Sequence, residues 1–213
     1  MDIVFLLYPN LTTLDAVGPY EVLWRIPGTD VRMASPEPGP QRDENGALVL
    51  QADHSLEDVD RADVLLIPGG FGNRPLMKDE RVLDWIRRIH DTTQFTTSVC
   101  TGSLLLGAAG LLDGIPATTH WLQRDLLSDL GADVVPDRVV EHGKIITAAG
   151  VSSGIDMALR LAEHLAGERI AKAIQLSIEY DPQPPFDSGA PEKAEQEIVQ
   201  LVSEAASAGR RPA

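Results

Sequence analysis

The sequence predicts an α/β fold, a layered domain with a mostly parallel sheet covered by helices on both faces. Three observations carry that expectation. Four short, continuous apolar runs fall within the first hundred residues, helix-like stretches separate them, and Cys100 follows the fourth run at a corner rich in small residues. Buried parallel strands read as unbroken apolar runs because both faces are covered. Strands alternating with helices are the signature of the layered α/β class.

The four runs are Asp2 to Tyr8, Asp30 to Ala34, Asp63 to Ile67 and Gln94 to Val99. Between the first two, Leu14 to Trp24 reads as a helix that Thr12 or Thr13 could cap and that Gly18-Pro19 should break or kink. Ala47 to Gln51 predicts a small strand near a sheet edge, reached through the turn-rich segment Ser35 to Gly46. Asp79 to His90 predicts an amphipathic helix with Val82, Leu83, Trp85, Ile86 and Ile89 on one side. Thr101 to Gly110 predicts a buried helix of small and apolar residues. Ala117 to His120, Val134 to Glu141 and Lys144 to Ala148 predict short strands, followed by helices over about Ser152 to Leu165 and Glu168 to Ile178. The order of elements is that of a flavodoxin-like three-layer sandwich, one domain over residues 1–180. Beyond it, Asp181-Pro182-Gln183-Pro184-Pro185-Phe186 should run extended. Pro191 to Ser207 resumes an amphipathic pattern expected to pack on the body or on a second subunit, and Gly209 to Ala213 should fray.

Composition narrows the function. The chain has 213 residues with 18 Lys and Arg against 32 Asp and Glu, a formal charge of −14. That charge repels phosphate backbones and anionic membranes, so nucleic acid and membrane partners are not expected. With 43% hydrophobic and 23% charged residues the composition is globular, and a chain of this length buries roughly three quarters of its unfolded surface without disulfide or metal. The apolar run at the N-terminus is too short for a signal peptide, and no run approaches a membrane span, so a cytoplasmic protein is expected. A single cysteine excludes an internal disulfide and suits a reducing compartment. The five histidines show no ligand spacing, so no metal is expected; the Gly-rich loop lacks a phosphate-binding sequel.

Ligands of open parallel sheets bind beyond the carboxyl ends of the strands. Asp15 follows the first strand, Pro68-Gly69-Gly70-Phe71-Gly72-Asn73 the third, and Ser98-Val99-Cys100-Thr101-Gly102-Ser103 the fourth. The last segment has the form of a nucleophile elbow, with Cys100 at the corner and Gly102 relieving crowding. A helix N-terminus at that corner favours the thiolate. A lone cysteine is otherwise a small core residue; the strand-to-helix position and the companion glycine loop favour chemistry. Within that loop, Gly70 and Gly72 let the backbone approach a bound atom, and the N–H groups of Gly70 and Thr101 could stabilise developing negative charge. Asp15 could merely oppose its helix dipole, but its apolar neighbours Leu14, Ala16 and Val17 should raise its proton affinity and suit it to acid/base work. His120 follows a strand and could reach the same end of the sheet, where pairing with Cys100 would make a cysteine and histidine hydrolase.

An acid after strand one, a Gly-Gly loop and a cysteine elbow together resemble the ThiJ/PfpI superfamily, relatives of class I glutamine amidotransferase domains. The resemblance runs from Asp2 to about Ile178. Ala117-Thr118-Thr119-His120-Trp121 and Thr147 to Asp156 resemble the isocyanide (isonitrile) hydratase branch. The peptidase-like and glyoxalase-like branches commonly carry histidine after the cysteine and glutamate as the acid, whereas this sequence has Thr101 and Asp15. The amidase-like domains of AraC-type regulators share the motifs, but the roughly 35 residues after Ile178 are expected to be too few, too acidic and too proline-rich for a helix-turn-helix domain.

The resemblance implies a cysteine-nucleophile hydratase needing no cofactor, converting an isocyanide to an N-substituted formamide through a thioimidate on Cys100. Asp15 would move the proton, Thr101 would turn its hydroxyl to Asp15 or substrate, and Gly150-Val151-Ser152 would line the pocket. It also implies a small-molecule substrate and a homodimer. A cysteine redox or stress sensor and a non-catalytic ligand-binding module of the same superfamily are the competing readings.

Overall fold

The seven-stranded sheet is held by residues with no polar alternative. Ile3 to Leu6 and Val64 to Ile67 are completely buried, so both strands must lie inside a sheet with both faces covered. The computed structural model describes residues 1–208; the frayed end expected at 209–213 lies outside the described residues. The chain divides into two units, Met1–Ile178 and Glu179–Ala213.

In the first unit β1 (Asp2–Leu6) leads to α1 (Thr13–Leu23), β2 (Asp30–Ser35), the hairpin strands β3 (Gly39–Arg42) and β4 (Val49–Ala52), β5 (His54–Ser55) and β6 (Val64–Ile67). Then come α2 (Asn73–Leu76), α3 (Glu80–Thr92), β7 (Phe95–Val99), α4 (Ser103–Ala108), β8 (Pro116–Ala117), α5 (Arg124–Asp129) and β9 (Asp133–Val134). The unit closes with β10 (Val139–His142), β11 (Ile145–Ala148), α6 (Ser153–Ala166) and α7 (Glu168–Ser177). The main sheet has the order β10-β11-β7-β6-β1-β2-β5, parallel except for the antiparallel β10 at one edge. The carboxyl ends of β1, β6, β7 and β11 therefore sit side by side, which brings residues 8–15, 68–73, 100–103 and 149–153 to one end of the sheet.

The second unit carries an irregular proline-rich stretch and α8 (Gln196–Ser207), an amphipathic helix with Ile198 and Leu201 on one side. Among the described residues no helix is long and apolar enough to cross a membrane.

β7 is less apolar than its neighbours, and its two threonine hydroxyls are absorbed locally, whereas the buried Ser98 Oγ has no hydrogen-bond partner among the described residues. Thr97 Oγ1 donates to Leu65 O at 3.0 Å, while Thr96 Oγ1 lies 2.8 Å from Thr93 Oγ1 and 2.9 Å from His90 Nδ1. Hydrogen-bonded hydroxyls cost little to bury, so Thr96 and Thr97 can occupy a central strand.

Several expectations are corrected. Gly18-Pro19 does not end its helix: α1 continues through Pro19 to Leu23. Packing on α6 offsets the lost hydrogen bond, because Gly18 leaves room only for Ile155, and Gly154 leaves room only for Pro19 and Val99. Thr12 occupies the cap position without capping; its Oγ1 donates instead to Glu44 Oε2 at 3.3 Å. The expected edge strand over Ala47 to Gln51 is β4, which pairs antiparallel with β3 in a separate hairpin, so part of the segment Ser35 to Gly46 is a strand as well. The short β5 forms the main sheet's edge beside β2. Of the expected strand Ala117 to His120 only Pro116–Ala117 pairs, because His120 caps a 3-10 turn. Val134 to Glu141 is split into β9 and β10 around Pro136, which has no N–H to continue a ladder. The helix after Cys100 begins as a 3-10 turn over Cys100–Gly102.

The tightest approach at the elbow is at Gly102. A methyl group there would stand 2.1 Å from Ile67 O and 2.9 Å from Pro68 O, both backbone atoms that cannot swing aside. Gly102→Ala should lower unfolding free energy by about 3 kcal/mol or more. Urea titration of the purified variant reads it, and a loss under about 1 kcal/mol would show that the elbow has slack.

Candidate active site

Cys100 stands at φ +57°, in the left-handed region that a side chain other than glycine or asparagine seldom occupies. Both of its backbone polar groups are tied down. Its N–H donates to Ala149 O at 2.8 Å, and its carbonyl accepts from Thr119 Oγ1 at 3.0 Å and Ser103 Oγ at 3.2 Å. Those three bonds hold a conformation that costs on the order of 1–3 kcal/mol, and the side chain is thereby turned off the strand toward the Gly-rich loop.

Asp15 arrives from the first turn of α1 and is completely buried. Its Oδ2 accepts from Gly69 N–H at 2.9 Å, while Oδ1 has no hydrogen-bond partner among the described protein atoms. Burial pushes its pKa up to about 8, with the Gly69 N–H and a hydrogen bond to the Cys100 side chain acting in the opposite sense. The Cys100 thiol is raised well above its ordinary value, first by burial and then by the Asp15 charge, while the Thr101 N–H lowers it. Desolvation and a carboxyl neighbour thus oppose the pull of the helix N-terminus toward a thiolate at Cys100. Acid and thiol form one coupled pair whose protons come off in two steps.

The Gly-rich loop frames this pair. Gly69 allows the closest approach: a methyl group there would meet Thr101 N at 2.6 Å, Thr101 Oγ1 at 2.7 Å and Asp15 Oδ2 at 2.8 Å. Gly70 N–H donates to Thr101 Oγ1 at 3.0 Å, so it is engaged by that hydroxyl rather than standing free. Gly72 N–H donates to Asn10 O at 3.1 Å, and a methyl group on Gly72 would fall 1.8 Å from Pro9 O. Gly72 is thus spent on loop packing and has no N–H to offer a ligand. Tyr8, buried beneath the loop, donates to Pro68 O at 2.5 Å, and Asn73 Nδ2 donates to Thr101 O at 2.7 Å.

The fourth segment closes the other side. A methyl group on Gly150 would stand 2.7 Å from His120 Cδ2, so His120 packs edgewise on the turn that contains Gly150 and Val151. His120 Nδ1 accepts from Leu122 N at 3.3 Å, and its ring lies over Trp121 at 6.0 Å. Burial first, and Arg124 second, lower its pKa. The group that acts on the Cys100 thiol is Asp15, not His120, so the cysteine and histidine hydrolase arrangement is not found among the described residues.

The structure brings Asp15, Cys100, Thr101 and Gly70 together, with the Gly150 turn tied to Cys100 through Ala149. Sequence reasoning did not assign Gly69, Asn73, Tyr8, Thr119 or Glu44. Gly69 and Asn73 lay within the segment already singled out, and Thr119 adjoined His120; Tyr8 read as the end of an apolar strand, and Glu44 had no motif. Among the described residues no group of three or more His, Cys, Asp and Glu is placed to hold a metal.

Fold and site define an α/β protein with an elbow cysteine paired to a buried carboxyl from the first helix. The chain belongs to the DJ-1/PfpI family, whose model matches residues 1–164. An isonitrile hydratase from Pseudomonas putida is 47% identical over 199 residues, spanning 93% of this chain and 87% of that protein. The HTH-type transcriptional regulator CdhR of Pseudomonas aeruginosa is 31% identical over 187 residues, 84% of this chain but only 54% of the regulator. A THiJ/PfpI family protein from Pseudomonas syringae superposes with a TM-score of 0.93 at 33% identity, covering 97% of this chain and 86% of that one.

The raised acid has a consequence for stability. Between the unfolded value of 3.8 and the folded value of about 8, the native state holds a proton that the unfolded state has lost, so stability falls as pH rises across that window. Asp15→Asn should gain on the wild type from pH 5 to pH 8, by at most about 1.4 kcal/mol per pH unit, and the gain should level off above pH 8. Urea unfolding of both proteins at several pH values reads the difference; a gap that does not change with pH would mean that Asp15 is ionised in the native state.

Proposed function

We propose that this chain is an isocyanide hydratase, adding water to an isocyanide to release an N-substituted formamide. The observation that carries the reading is the buried Asp15–Cys100 pair at the elbow. The 47% identity to an isonitrile hydratase over nearly the full chain supports it.

The reacting form is the pair with one proton, in which the carboxyl can hold it while the sulfur carries the charge. The sulfur attacks the terminal isocyanide carbon and forms the C–S bond, and Asp15 delivers its proton to that carbon, giving a thioimidate. Asp15, now ionised, takes a proton from water as the water oxygen adds to the same carbon. It passes that proton to nitrogen, the C–S bond breaks, and the hydroxyl proton returns to the Asp15–Cys100 pair as the formamide leaves. Atoms and charge balance with no cofactor. The thiolate that forms is stabilised by the Thr101 N–H, and the Thr101 hydroxyl, accepting from Gly70, retains its own proton for the substrate. Gly150, Val151 and His120 form the facing wall.

A redox sensor needs a thiolate ready for oxidant, and burial and Asp15 both act against the thiolate at Cys100. The reading also includes a cytoplasmic homodimer, whose mass in solution would be twice 23.0 kDa.

With cyclohexyl or para-nitrophenyl isocyanide, the wild type should produce the formamide, Cys100→Ala none, and Asp15→Asn a rate lowered by roughly a hundredfold or more. The wild-type kcat/KM should rise with pH through about 8 as the first proton leaves the pair. Full activity in Cys100→Ala would end the hydratase reading. Peroxide converting Cys100 to a sulfinate, in a protein that turns over no isocyanide, would replace it with the sensor.

A further inference from the structure

The segment Pro68-Gly69-Gly70 carries two consecutive peptide groups into the site, and each is held at both ends. The first joins Pro68 to Gly69. Its N–H donates to Asp15 Oδ2 at 2.9 Å, and its carbonyl oxygen accepts from the Tyr8 hydroxyl at 2.5 Å. The second joins Gly69 to Gly70. Its N–H donates to Thr101 Oγ1 at 3.0 Å, and its carbonyl oxygen accepts from Thr12 N–H at 2.9 Å. In a trans peptide the C=O and N–H point in opposite directions, so residues that follow β1 hold one edge of each peptide while a site residue holds the other.

Tyr8 ends a buried run, Ile3 to Tyr8, in which every other side chain is a hydrocarbon. Its ring is fixed beneath the loop: a methyl group on Gly72 would fall 2.9 Å from Tyr8 Cδ2. Phenylalanine would fill that space without taking a hydroxyl out of water, so packing alone does not account for tyrosine. The hydroxyl is spent on the carbonyl of the same peptide that binds the acid.

We propose that Tyr8 is a positioning residue for Asp15: its hydroxyl orients and polarises the Pro68–Gly69 peptide and so strengthens the N–H that the carboxyl accepts. The proposal deepens the hydratase reading and rests on it for the work that Asp15 does, but the hydrogen-bond chain from Tyr8 to Asp15 is independent of any substrate.

A donor on a carbonyl oxygen draws electron density toward it and leaves the amide proton more positive, so hydrogen bonds in such a chain reinforce one another. The Gly69 N–H stabilises the Asp15 carboxylate against the burial that favours the acid. A stronger N–H therefore makes Asp15 easier to ionise. Besides Tyr8, the titratable groups that act on Asp15 are the Cys100 thiol from the elbow, in the same sense as Gly69, and Glu44 from the hairpin, in the opposite one. Tyr8 itself stays neutral. Burial first, then the charges of Asp15, Cys100 and Glu44, raise its pKa well above the ordinary value, so the phenol remains a donor while Asp15 titrates.

The Asp15 carboxyl carbon, assigned by the signal lost in Asp15→Asn, is titrated by carbon-13 nuclear magnetic resonance in three proteins. These are the wild type, Tyr8→Phe, and a protein with fluorotyrosine in place of Tyr8, whose hydroxyl is the stronger donor. Tyr8→Phe should move the midpoint up by about half a pH unit, and the fluorinated phenol should move it down. The Gly69 amide proton should shift upfield in the first and downfield in the second. The inflection in kcat/KM should follow the carboxyl midpoint in both, whereas a tyrosine that only fills space would change stability or rate and move neither. The fluorinated protein keeps the ring and its hydrogen bond, so it tests the chain even where Tyr8→Phe does not fold. A midpoint and a Gly69 signal unchanged in the fluorinated protein overturn the proposal, as does a midpoint that falls in folded Tyr8→Phe. If the midpoints move as expected but no isocyanide is hydrated, the hydratase reading fails and the role of Tyr8 stands. If isocyanides are hydrated while midpoint and amide signal stay fixed, the role of Tyr8 falls and the hydratase reading stands.

Discussion

The site depends on a carboxyl group placed out of water beside a thiol. Asp15 has no exposed surface and takes one backbone N–H, from Gly69, on one of its oxygens. A carboxylate so poorly solvated holds its proton to about pH 8, and the same burial and the acid itself raise the thiol of the neighbouring Cys100. Neither group is a strong acid or a ready nucleophile alone. Together they form a pair in which removing one proton leaves the other free to move between oxygen and sulfur, which is the requirement for adding S–H across one carbon atom.

The rest of the sheet's active end keeps that pair in register. Cys100 is bound through its N–H to Ala149 after β11, and through its carbonyl to Thr119 and Ser103, so three separate segments fix one left-handed residue. Gly69 and Gly102 matter for the absence of a side chain: each occupies a gap in which a methyl group would collide with backbone. Asn73 and Tyr8 hold the loop from either side, through Thr101 O and Pro68 O. A site of this kind tolerates little motion, and its acid is set by burial rather than by a charged partner.

The parallel core was legible because β6 is apolar at every position and β1 at every position after Asp2, and the pair Asp15 and Cys100 because Cys100 directly follows the fourth run and Asp15 lies just beyond the loop that ends the first. The elbow was legible from Gly102 next to Cys100. What sequence could not convey arises from distant packing. Pro19 remains inside α1 because Gly18 and Gly154 let two helices touch, and no local rule reads that. β3 and β4 pair with each other rather than extending the main sheet, a choice made by tertiary partners. The ionisation of Cys100 is not legible in sequence for a related reason: the helix terminus that favours the thiolate is visible there, while the depth of burial that opposes it is not. Glu44 went unassigned because only the folded hairpin brings it to the loop around Thr12.

The most direct measurement is the titration of the Asp15 carboxyl carbon, followed by carbon-13 nuclear magnetic resonance in the free protein and in Cys100→Ala. The account predicts a midpoint near 8 in the wild type, moving higher when the thiol that helps to stabilise the carboxylate is removed. A midpoint near the ordinary 3.8 in both proteins would mean that Asp15 is a solvated anion, and it would contradict the shared-proton pair.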